Sequence, residues 1–319
     1  MIKGFDAEFS NLDHYIRVIT DRIWEGRRID DINRYYSSDC AVETPSSVSV
    51  GAKAVIDGTI ATLNAFPDRR LLAEDIIISG SSEGAYLSSH RIFSPMTHAG
   101  AGVFGTPSHR TIYARTIADC VCINNKIVHE WLVRDQAAIA RQIGSNEKEL
   151  AQKWLDASGG CFKAPMPAAP SYYVSHIEQK GHAAQYADFL EQIFRSFQKI
   201  NADHFYAQQI ISALPGGESA VGQNQIMQFW QSLAGSLELS SFQVEHSVAN
   251  EREGRPTAVA VRWRAKGIHK FSGRYGQPTG RPLEILGITH VEFQDDRVVR
   301  EWHLIDDVAI WMQILSPRK

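Results

Sequence analysis

The most constraining feature of this sequence is a Glu-Trp-x-x-x-Asp segment that occurs twice, 171 positions apart. Trp131 and Asp135 belong to the first copy, and Trp302 and Asp306 belong to the second. The same separation holds for five further pairs, which are Gly51/Gly222, Arg91/Arg262, His98/His269, Gly105/Gly276 and Arg110/Arg281. A constant offset over this span indicates duplication of a whole domain, because solenoid repeats recur with a much shorter period, of roughly 20–50 residues.

The duplication divides the chain into two domains and a linker. We predict a first domain at residues 1–145, a linker at 146–176 and a second domain at 177–319, each domain being of ordinary size. The linker contains a short helical stretch that ends near Ala157 and a proline-rich stretch from Ala164 to Pro170. Such a proline-rich segment is typical of a semi-rigid connector.

Each half begins with helices and continues with strands. Apolar residues recur at helical spacing from Phe9 to Ile23, and further helices are predicted at 29–36 and 51–65. Strands are predicted at 71–79, 85–93, 110–123 and 127–135. The second half repeats the order, with helices at 177–199, near His204 and at 221–237, and strands at 240–250, 257–268, 283–294 and 297–306. Helices segregated from antiparallel strands predict an α+β domain in which a curved sheet packs on the helices.

The composition argues against several kinds of partner. The formal net charge is −3, so no basic surface for nucleic acid or an anionic membrane is expected. No apolar run approaches the roughly 20 residues of a membrane-spanning helix, and the N-terminus lacks the order of a signal peptide. We therefore expect a cytoplasmic protein. The four cysteines show no metal-ligand spacing, and no metal site is predicted.

Several motifs resemble the SnoaL-like polyketide cyclases of the NTF2-like superfamily. In the first half these motifs are Thr97-His98-x-Gly100, Gly105-x-Pro107-x-x-Arg110, Lys126-Ile127, Glu130-Trp131-x-x-x-Asp135 and Arg141-Gln142-x-Gly144. The second half matches more loosely, at His269, Gly276 to Arg281, Arg297-Val298, Glu301-Trp302 and Asp306. The resemblance implies two tandem cone-shaped α+β barrels, each with a helical layer packed on a curved antiparallel sheet around a pocket.

The resemblance also implies a chemistry. In the resembled cyclases an aspartate abstracts a proton next to a carbonyl, and the enolate attacks a second carbonyl of the same molecule without metal or cofactor. Asp135 and Asp306 are the matching aspartates, and the repeated histidines His98 and His269 are candidates for polarising the carbonyl. The substrate implied is a hydrophobic small molecule. The residues predicted to contact it are Tyr35, Trp131, Tyr206, His290 and Trp302.

Strand alternation predicts which face of the last strand lines the pocket. Trp131 and Asp135 share one face, and Glu130 lies on the other. A regular hairpin with a tight turn at 124–125 would place Asp119 opposite Glu130, where two carboxylates repel. The face with Trp131 and Asp135 is therefore predicted to be the pocket wall. A carboxylate beside an indole there would lose hydration, which raises its pKa and suits it to acid–base work.

The second hairpin differs from the first. A tight turn at 295–296 would place His290 opposite Glu301, where the first half has Asp119. This difference predicts that the two pockets have diverged, and either half is a candidate for the active one. The two domains of the tandem are expected to form an intramolecular pseudo-dimer. Whether the chain also assembles into a homo-oligomer stays open at this stage.

Other interpretations of the same residues stay open at this stage. The two aspartates precede a helix and equally suit N-caps. The tryptophans suit core anchors, the tyrosines suit helix packing, and the repeated histidines suit hydrogen bonds across a loop. The chain is accordingly predicted to be a cyclase, an isomerase like ketosteroid isomerase or a hydrolase, or alternatively a non-catalytic module for small-molecule binding or assembly.

Overall fold

The computed structural model describes residues 2–166, 170 and 173–317. The chain forms two compact units, of which unit 1 contains residues 1–146 and 163–174, and unit 2 contains residues 147–162 and 175–319. The predicted linker at 146–176 is thus divided between the units. Its helix belongs to the second unit, and the proline-rich connector lies partly outside the described residues.

The first unit follows the predicted order of helices and strands, with two additional strands. Its elements are α1 (Leu12–Trp24), α2 (Ile32–Tyr35), β1 (Tyr36–Glu43), β2 (Val48–Val50), α3 (Ala52–Ala65), β3 (Leu72–Gly80), β4 (Tyr86–Thr97), β5 (Thr111–Ile123), β6 (Lys126–Arg134) and α4 (Gln136–Ile143). The sheet order is β2-β1-β6-β5-β4-β3, and β1 runs parallel to β6 while the other pairs are antiparallel. The sequence did not predict β1 and β2, because β1 is completed by hydrogen bonds to β6, which lies far along the chain.

The second unit repeats this arrangement. Its elements are α5 (Glu147–Ala157), α6 (Gly181–Arg195), α7 (Ala202–Phe205), β7 (Tyr206–Leu214), β8 (Glu218–Val221), α8 (Gln223–Ala234), β9 (Leu237–Arg252), β10 (Arg255–His269), β11 (Pro282–Gln294), β12 (Arg297–Leu304) and α9 (Asp307–Leu315). The sheet order is β8-β7-β12-β11-β10-β9, which matches the first sheet strand for strand. The α+β prediction and the duplication are therefore confirmed.

The amphipathic helix α1 belongs to the helical layer of the first unit. Asn11 caps it by accepting a hydrogen bond from the backbone N–H of His14 at 2.8 Å, as an N-cap residue should. The apolar residues of the predicted helical stripe, including Ile16, Ile19 and Ile23, are buried. This stripe faces the sheet and forms one wall of the cavity described below.

Each sheet carries the same ion pair, between a buried arginine and a partly exposed glutamate. In the first unit the Arg91 guanidinium lies 3.2 Å from a carboxylate oxygen of Glu74, and in the second unit Arg262 lies 3.2 Å from Glu245. These four residues are related by the same offset of 171 positions. The repeated arginines found in the sequence thus stabilise neighbouring strands of the sheet.

The interiors of the two units differ in how they are filled. Trp263 of the second unit lies where Ile92 lies in the first, and its ring packs against Phe194 at 5.3 Å and Phe242 at 6.0 Å between ring centres. The first-unit counterparts of these two phenylalanines are Ile23 and Leu71. Three aromatic rings therefore occupy the space that three aliphatic side chains leave open in the first unit.

A glycine makes room for the Trp263 ring. Gly287 is the cross-strand partner of Trp263, and a Cβ atom built on this glycine would lie 2.2 Å from the indole carbons. The corresponding pair in the first unit is Ile92 and Thr116. The large ring and the missing side chain compensate each other across the two strands.

Among the described residues, no helix is both long enough and apolar enough to cross a membrane.

We expect Gly287→Thr, which installs the first-unit residue, to lower the free energy of unfolding by about 1–3 kcal/mol, because the new side chain overlaps the Trp263 indole. Urea unfolding followed by tryptophan fluorescence measures the loss. Adding Trp263→Ile should recover part of it. As a control, Gly58→Ala should cost nothing, since among the described residues no atom outside its own helix backbone and chain neighbours lies within 4 Å of its Cβ position. A Gly287→Thr variant as stable as the parent would contradict this account.

Candidate active site

The first unit contains a cavity of about 80 Å³ between α1 and the sheet. Its wall is mostly aliphatic, but five of its side chains carry a phenol, imidazole, carboxyl or guanidinium group that can meet a ligand. These side chains are Tyr36, Arg69, His90, Glu130 and Arg134. The apolar part of the wall consists of Ile16, Ile19, Ile23, Trp24, Leu71, Ile92, Ala118, Ile127 and Leu132, with Thr20, Thr116 and Cys120 completing the lining. An apolar cavity with a few converging polar groups is the usual form of a small-molecule site.

The cavity lies on the face of β6 opposite to the predicted one. Glu130, Leu132 and Arg134 line it, whereas Trp131 and Asp135 do not, which differs from the predicted pocket wall. The cause is a β-bulge between Val121 and Cys122, which shifts the hairpin by one residue. Sequence alternation alone does not reveal an extra residue in a strand.

The bulge also changes the cross-strand pairs on which the predicted face depended. Asp119 lies opposite Trp131, and Glu130 lies opposite Cys120, so the predicted repulsion between Asp119 and Glu130 is absent. In the second unit the same shift places His290 opposite Trp302 instead of Glu301. The tight turns themselves are confirmed, since Asn124, Asn125, Asp295 and Asp296 all have positive φ angles.

Glu130 is the only carboxylic acid among the residues that line this cavity. Its side chain is 7% exposed, and the Tyr36 hydroxyl donates a hydrogen bond to its Oε2 atom over 3.3 Å. Burial raises the pKa of Glu130 above its ordinary value, while the positive charge of Arg134 and the Tyr36 hydrogen bond oppose the rise. A carboxyl group with a raised pKa, next to open space, can take up and return a proton.

His90 on β4 presents a neutral imidazole to the same cavity. The residue is 3% exposed, and burial lowers its pKa from 6.5 to about 3, with Arg17 adding to the decrease and Asp75 opposing it. Its Nε2 atom is buried and has no hydrogen-bond partner in the described part of the chain. Buried polar atoms are rarely left unpartnered, so this atom is available to a ligand.

Arg69 supplies a buried positive charge. Only 5% of the residue is exposed, and its guanidinium stacks on the Trp24 ring at 5.3 Å. Its Nε atom donates one long hydrogen bond, of 3.4 Å, to the Ser94 hydroxyl. Burial and the nearby charge of Arg134 lower the pKa of Arg69 to about 9, so the group remains charged at neutral pH.

The two predicted catalytic aspartates act as helix caps. The Asp135 carboxylate accepts a hydrogen bond from the Ala138 N–H at 2.9 Å at the start of α4. The Asp306 carboxylate accepts bonds from the N–H groups of Val308 and Ala309 at 3.0 and 3.2 Å at the start of α9. The capping interpretation is therefore confirmed, and a catalytic role for either residue stays a prediction.

The repeated histidines make hydrogen bonds across a loop, which the sequence left open as the alternative to polarising a carbonyl. The Nδ1 atom of His98 lies 3.2 Å from the Ser108 hydroxyl, and that of His269 lies 3.0 Å from the Thr279 hydroxyl. Both rings are buried, and burial lowers both pKa values. Both Nε2 atoms lack a hydrogen-bond partner among the described residues, but neither histidine lines the cavity.

The residues predicted to contact substrate are spread over both units. Tyr35 is buried, and its hydroxyl accepts a hydrogen bond from Arg22 at 2.6 Å. The Trp131 ring lies 4.1 Å from the His129 ring, on the far side of β6 from the cavity. His290 is buried in the second sheet beside Trp302, its cross-strand partner. The next residue in the chain, Tyr36, is the tyrosine that lines the cavity.

In the second unit the counterpart of Glu130 is enclosed by other side chains. Both Tyr186 and Tyr206 donate hydrogen bonds to the Glu301 carboxylate, the latter over 3.1 Å. The Nε2 atom of His303 lies 2.9 Å from the same carboxylate, within ion-pair distance but off the direction of a ring N–H bond. The other nitrogen of His303 lies 3.1 Å from the Thr289 hydroxyl, which accepts the Trp263 N–H. This carboxylate is thus part of a closed polar network.

A larger depression, of about 460 Å³, lies on the outer surface of the second unit. It is formed near the turns at Gly254 and at Asp295-Asp296, which are exposed. Exposed turn residues leave a ligand in contact with water, so the first-unit cavity is the stronger candidate site.

The residues that sequence reasoning missed are Tyr36, Arg69, His90 and Arg134, together with the role of Glu130. One signal was present in the repeat itself. His90, Arg69 and Arg134 correspond to Val261, Ser240 and Ile305 in the second half. Charged and polar residues that occur in only one copy of a duplicated core mark the copy that has kept or acquired a site.

The low pKa of His90 predicts an acid-sensitive contribution to stability. The folded chain keeps the ring neutral, whereas the unfolded chain binds a proton below about pH 6.5. The contribution is therefore complete above about pH 6.5 and is lost as the pH falls toward 3. We expect His90→Val, which installs the residue found in the second unit, to flatten the fall in the free energy of unfolding between these pH values. Urea titrations at several pH values in this range measure the free energy of unfolding, and His204→Val, at an exposed histidine, is the control. Parallel curves for the parent and His90→Val would refute the prediction.

Both halves of the chain match the same known family. The family model of the SnoaL-like polyketide cyclases matches the chain twice, at residues 15–143 and 184–314. A comparison with curated proteins found no match.

Solved structures similar to this chain correspond to one half of it. IdmH from Streptomyces antibioticus is 16% identical with a TM-score of 0.36, and 41% of this chain covers 97% of that one. A SnoaL-like polyketide cyclase from Agrobacterium tumefaciens is 20% identical with a TM-score of 0.35, for 43% of this chain and 100% of that one. TsrD from Streptomyces laurentii is 14% identical with a TM-score of 0.37, and the match covers 42% of this chain and 95% of that one. With one family match in each unit, over more than half of its length in total, the chain belongs to the SnoaL-like polyketide cyclase family.

Proposed function

We propose that the first unit catalyses cofactor-independent proton transfer next to a carbonyl group of a small molecule, with Glu130 as the acid–base residue. The observation that carries the proposal is the buried carboxyl of Glu130, with its raised pKa, in a partly apolar cavity. Family membership supports carbonyl chemistry of the cyclase type, an intramolecular aldol reaction, and isomerisation uses the same first step.

In the proposed step, ionised Glu130 removes a proton from the carbon next to the carbonyl. The electrons of the broken C–H bond form a carbon–carbon double bond, and the carbonyl oxygen takes up the negative charge of an enolate. The enolate carbon then attacks a second carbonyl, whose oxygen becomes an alkoxide and takes the proton from Glu130, or the enolate takes that same proton back at carbon. In both cases Glu130 is left ionised again. The buried guanidinium of Arg69 would stabilise the enolate oxygen, and the neutral imidazole of His90 would offer a hydrogen bond to it.

The second unit has a structural role in this proposal. Its Glu301 is held by two tyrosines and lies beside His303, and aromatic rings occupy the positions that border the cavity in the first unit. A carboxylate whose oxygens are already hydrogen-bonded in a packed core has no room for a substrate carbon. We therefore assign turnover to the first unit.

Asp135 and Asp306 remain the alternative acid–base residues, supported by their match to the family motif. Catalysis by either would require the carboxylate to leave the backbone N–H groups that it caps, and loss of an N-cap typically costs about 1 kcal/mol of stability. The two versions of the proposal differ in which substitution stops turnover.

We expect Glu130→Gln to slow hydrogen–deuterium exchange next to the carbonyl of small oxo compounds by about 10²–10⁴-fold, because the amide cannot accept the proton. Exchange into D₂O is followed by proton NMR. Glu301→Gln is the matched control from the second unit and should exchange at the parent rate.

The same assay includes Asp135→Asn and Asp306→Asn, which should keep exchange, since the asparagine side-chain oxygen can still accept the capping hydrogen bonds. Full activity in Glu130→Gln, with loss in an aspartate variant, would transfer the role to that aspartate. A parent protein that binds oxo compounds and never exchanges them would identify a binding module instead.

A further inference from the structure

The cavity of the first unit has an excess of positive charge. Arg69 and Arg134 both line it, whereas Glu130 is its one carboxylic acid. His90 adds no charge at neutral pH, since its pKa is about 3. Arg69 is 5% exposed, and a buried charge is costly unless it is paired, so this site favours an anionic guest beside Arg69.

Arg69 is the residue on which the charge argument depends most. Among the described residues it forms no ion pair, and its hydrogen bond to Ser94 is long. Glu25 is the acidic residue that acts on it, but one oxygen of Glu25 accepts the Leu71 N–H at 2.7 Å and the other is buried without a partner. The forked guanidinium can therefore donate to a ligand, and this group binds carboxylates through two parallel hydrogen bonds.

The duplication provides an independent observation. In the second unit, where aromatic rings fill the interior, the positions of Arg69 and Arg134 are occupied by Ser240 and Ile305. Ile305 is buried there, in a core that packs without either guanidinium. The fold therefore does not need these cations for its own stability, and they occur where the cavity is open.

We propose that the natural ligand of this cavity is a small oxo acid, whose carboxylate is bound by Arg69 with Arg134 on the same wall, and whose carbonyl lies near Glu130. The inference rests on the proposed function, because it places the carboxylate and the reacting carbon in the same cavity. The volume of about 80 Å³ has room for roughly five to eight water-sized groups, which matches a ligand of that many heavy atoms. Any short alkyl end of the ligand would pack against Ile16 and Ile19 of α1.

Acetoacetate and acetoacetamide form a matched pair of probes. Both have the same number of heavy atoms and the same ketone, and they differ in the end group, which is a charged carboxylate in one and a neutral amide in the other. We expect the parent protein to bind acetoacetate about 10–100-fold more tightly than acetoacetamide in ligand-observed NMR titrations, since a hydrogen bond to a charged group contributes about 1.5–3 kcal/mol.

The expected result for Arg69→Met is a preference below about threefold, with a much larger loss of affinity for acetoacetate than for acetoacetamide, because a contact between two charged groups is lost only for acetoacetate. Arg69→Lys should keep part of the preference, and Arg134→Ile, which installs the second-unit residue, should reduce it. Arg70→Met removes the same charge from the exposed neighbouring position and should behave as the parent. Urea unfolding of each variant verifies that it is folded.

The titrations separate this inference from the proposed function. If Glu130→Gln loses exchange and keeps the preference for acetoacetate, both stand. If the preference depends on Arg69 but no variant or parent exchanges hydrogen, the oxo acid site stands and the proposed reaction fails. The inference is overturned if the parent binds neither probe, binds both equally, or keeps its preference in Arg69→Met, whatever the exchange assay gives.

Discussion

The carboxylate on the last strand of each unit is the constraint to which the surrounding structure is adapted. Glu130 and Glu301 occupy the same position of the repeat, and both are buried. A buried carboxylate must be neutralised, hydrogen-bonded or given a charged neighbour. The second unit uses two tyrosine hydroxyls and a nearby histidine, whereas the first uses one tyrosine, a nearby arginine and open space. The same acid is thus a core residue in one unit and the candidate catalytic group in the other.

The divergence of the two units is a change of packing as much as of chemistry. Placing Trp263 in the second interior required a neighbour without a side chain, which is Gly287, and the indole N–H required an acceptor, which is Thr289. Interiors of proteins are packed to nearly crystalline density, so such changes must be made together. The first unit keeps smaller aliphatic residues at these positions and therefore keeps its cavity. The two arginines that line that cavity, Arg69 and Arg134, also occur only in the first unit.

Features that depend on neighbours along the chain could be predicted from the sequence. The helical stripe of α1 follows from apolar spacing, the two tight turns follow from Asn124-Asn125 and Asp295-Asp296, and the capping alternative follows from the place of Asp135 before a helix. The pocket face could not be predicted in this way. One bulged residue in β6 exchanges the side chains that meet across the hairpin, and no local signal in the sequence marks a bulge at this point.

The sequence by itself determined the duplication, the α+β class, the family and the positions of the repeated carboxylates, because constant spacing and periodicity are properties of the chain alone. Only the tertiary structure decided that Glu130 faces a cavity, that Arg69 and His90 join it from other elements, and that aromatic rings fill the equivalent space beside Glu301. The physical reason is that burial, and the pKa values that follow from it, depend on residues far apart in sequence whose volumes and charges meet only after folding.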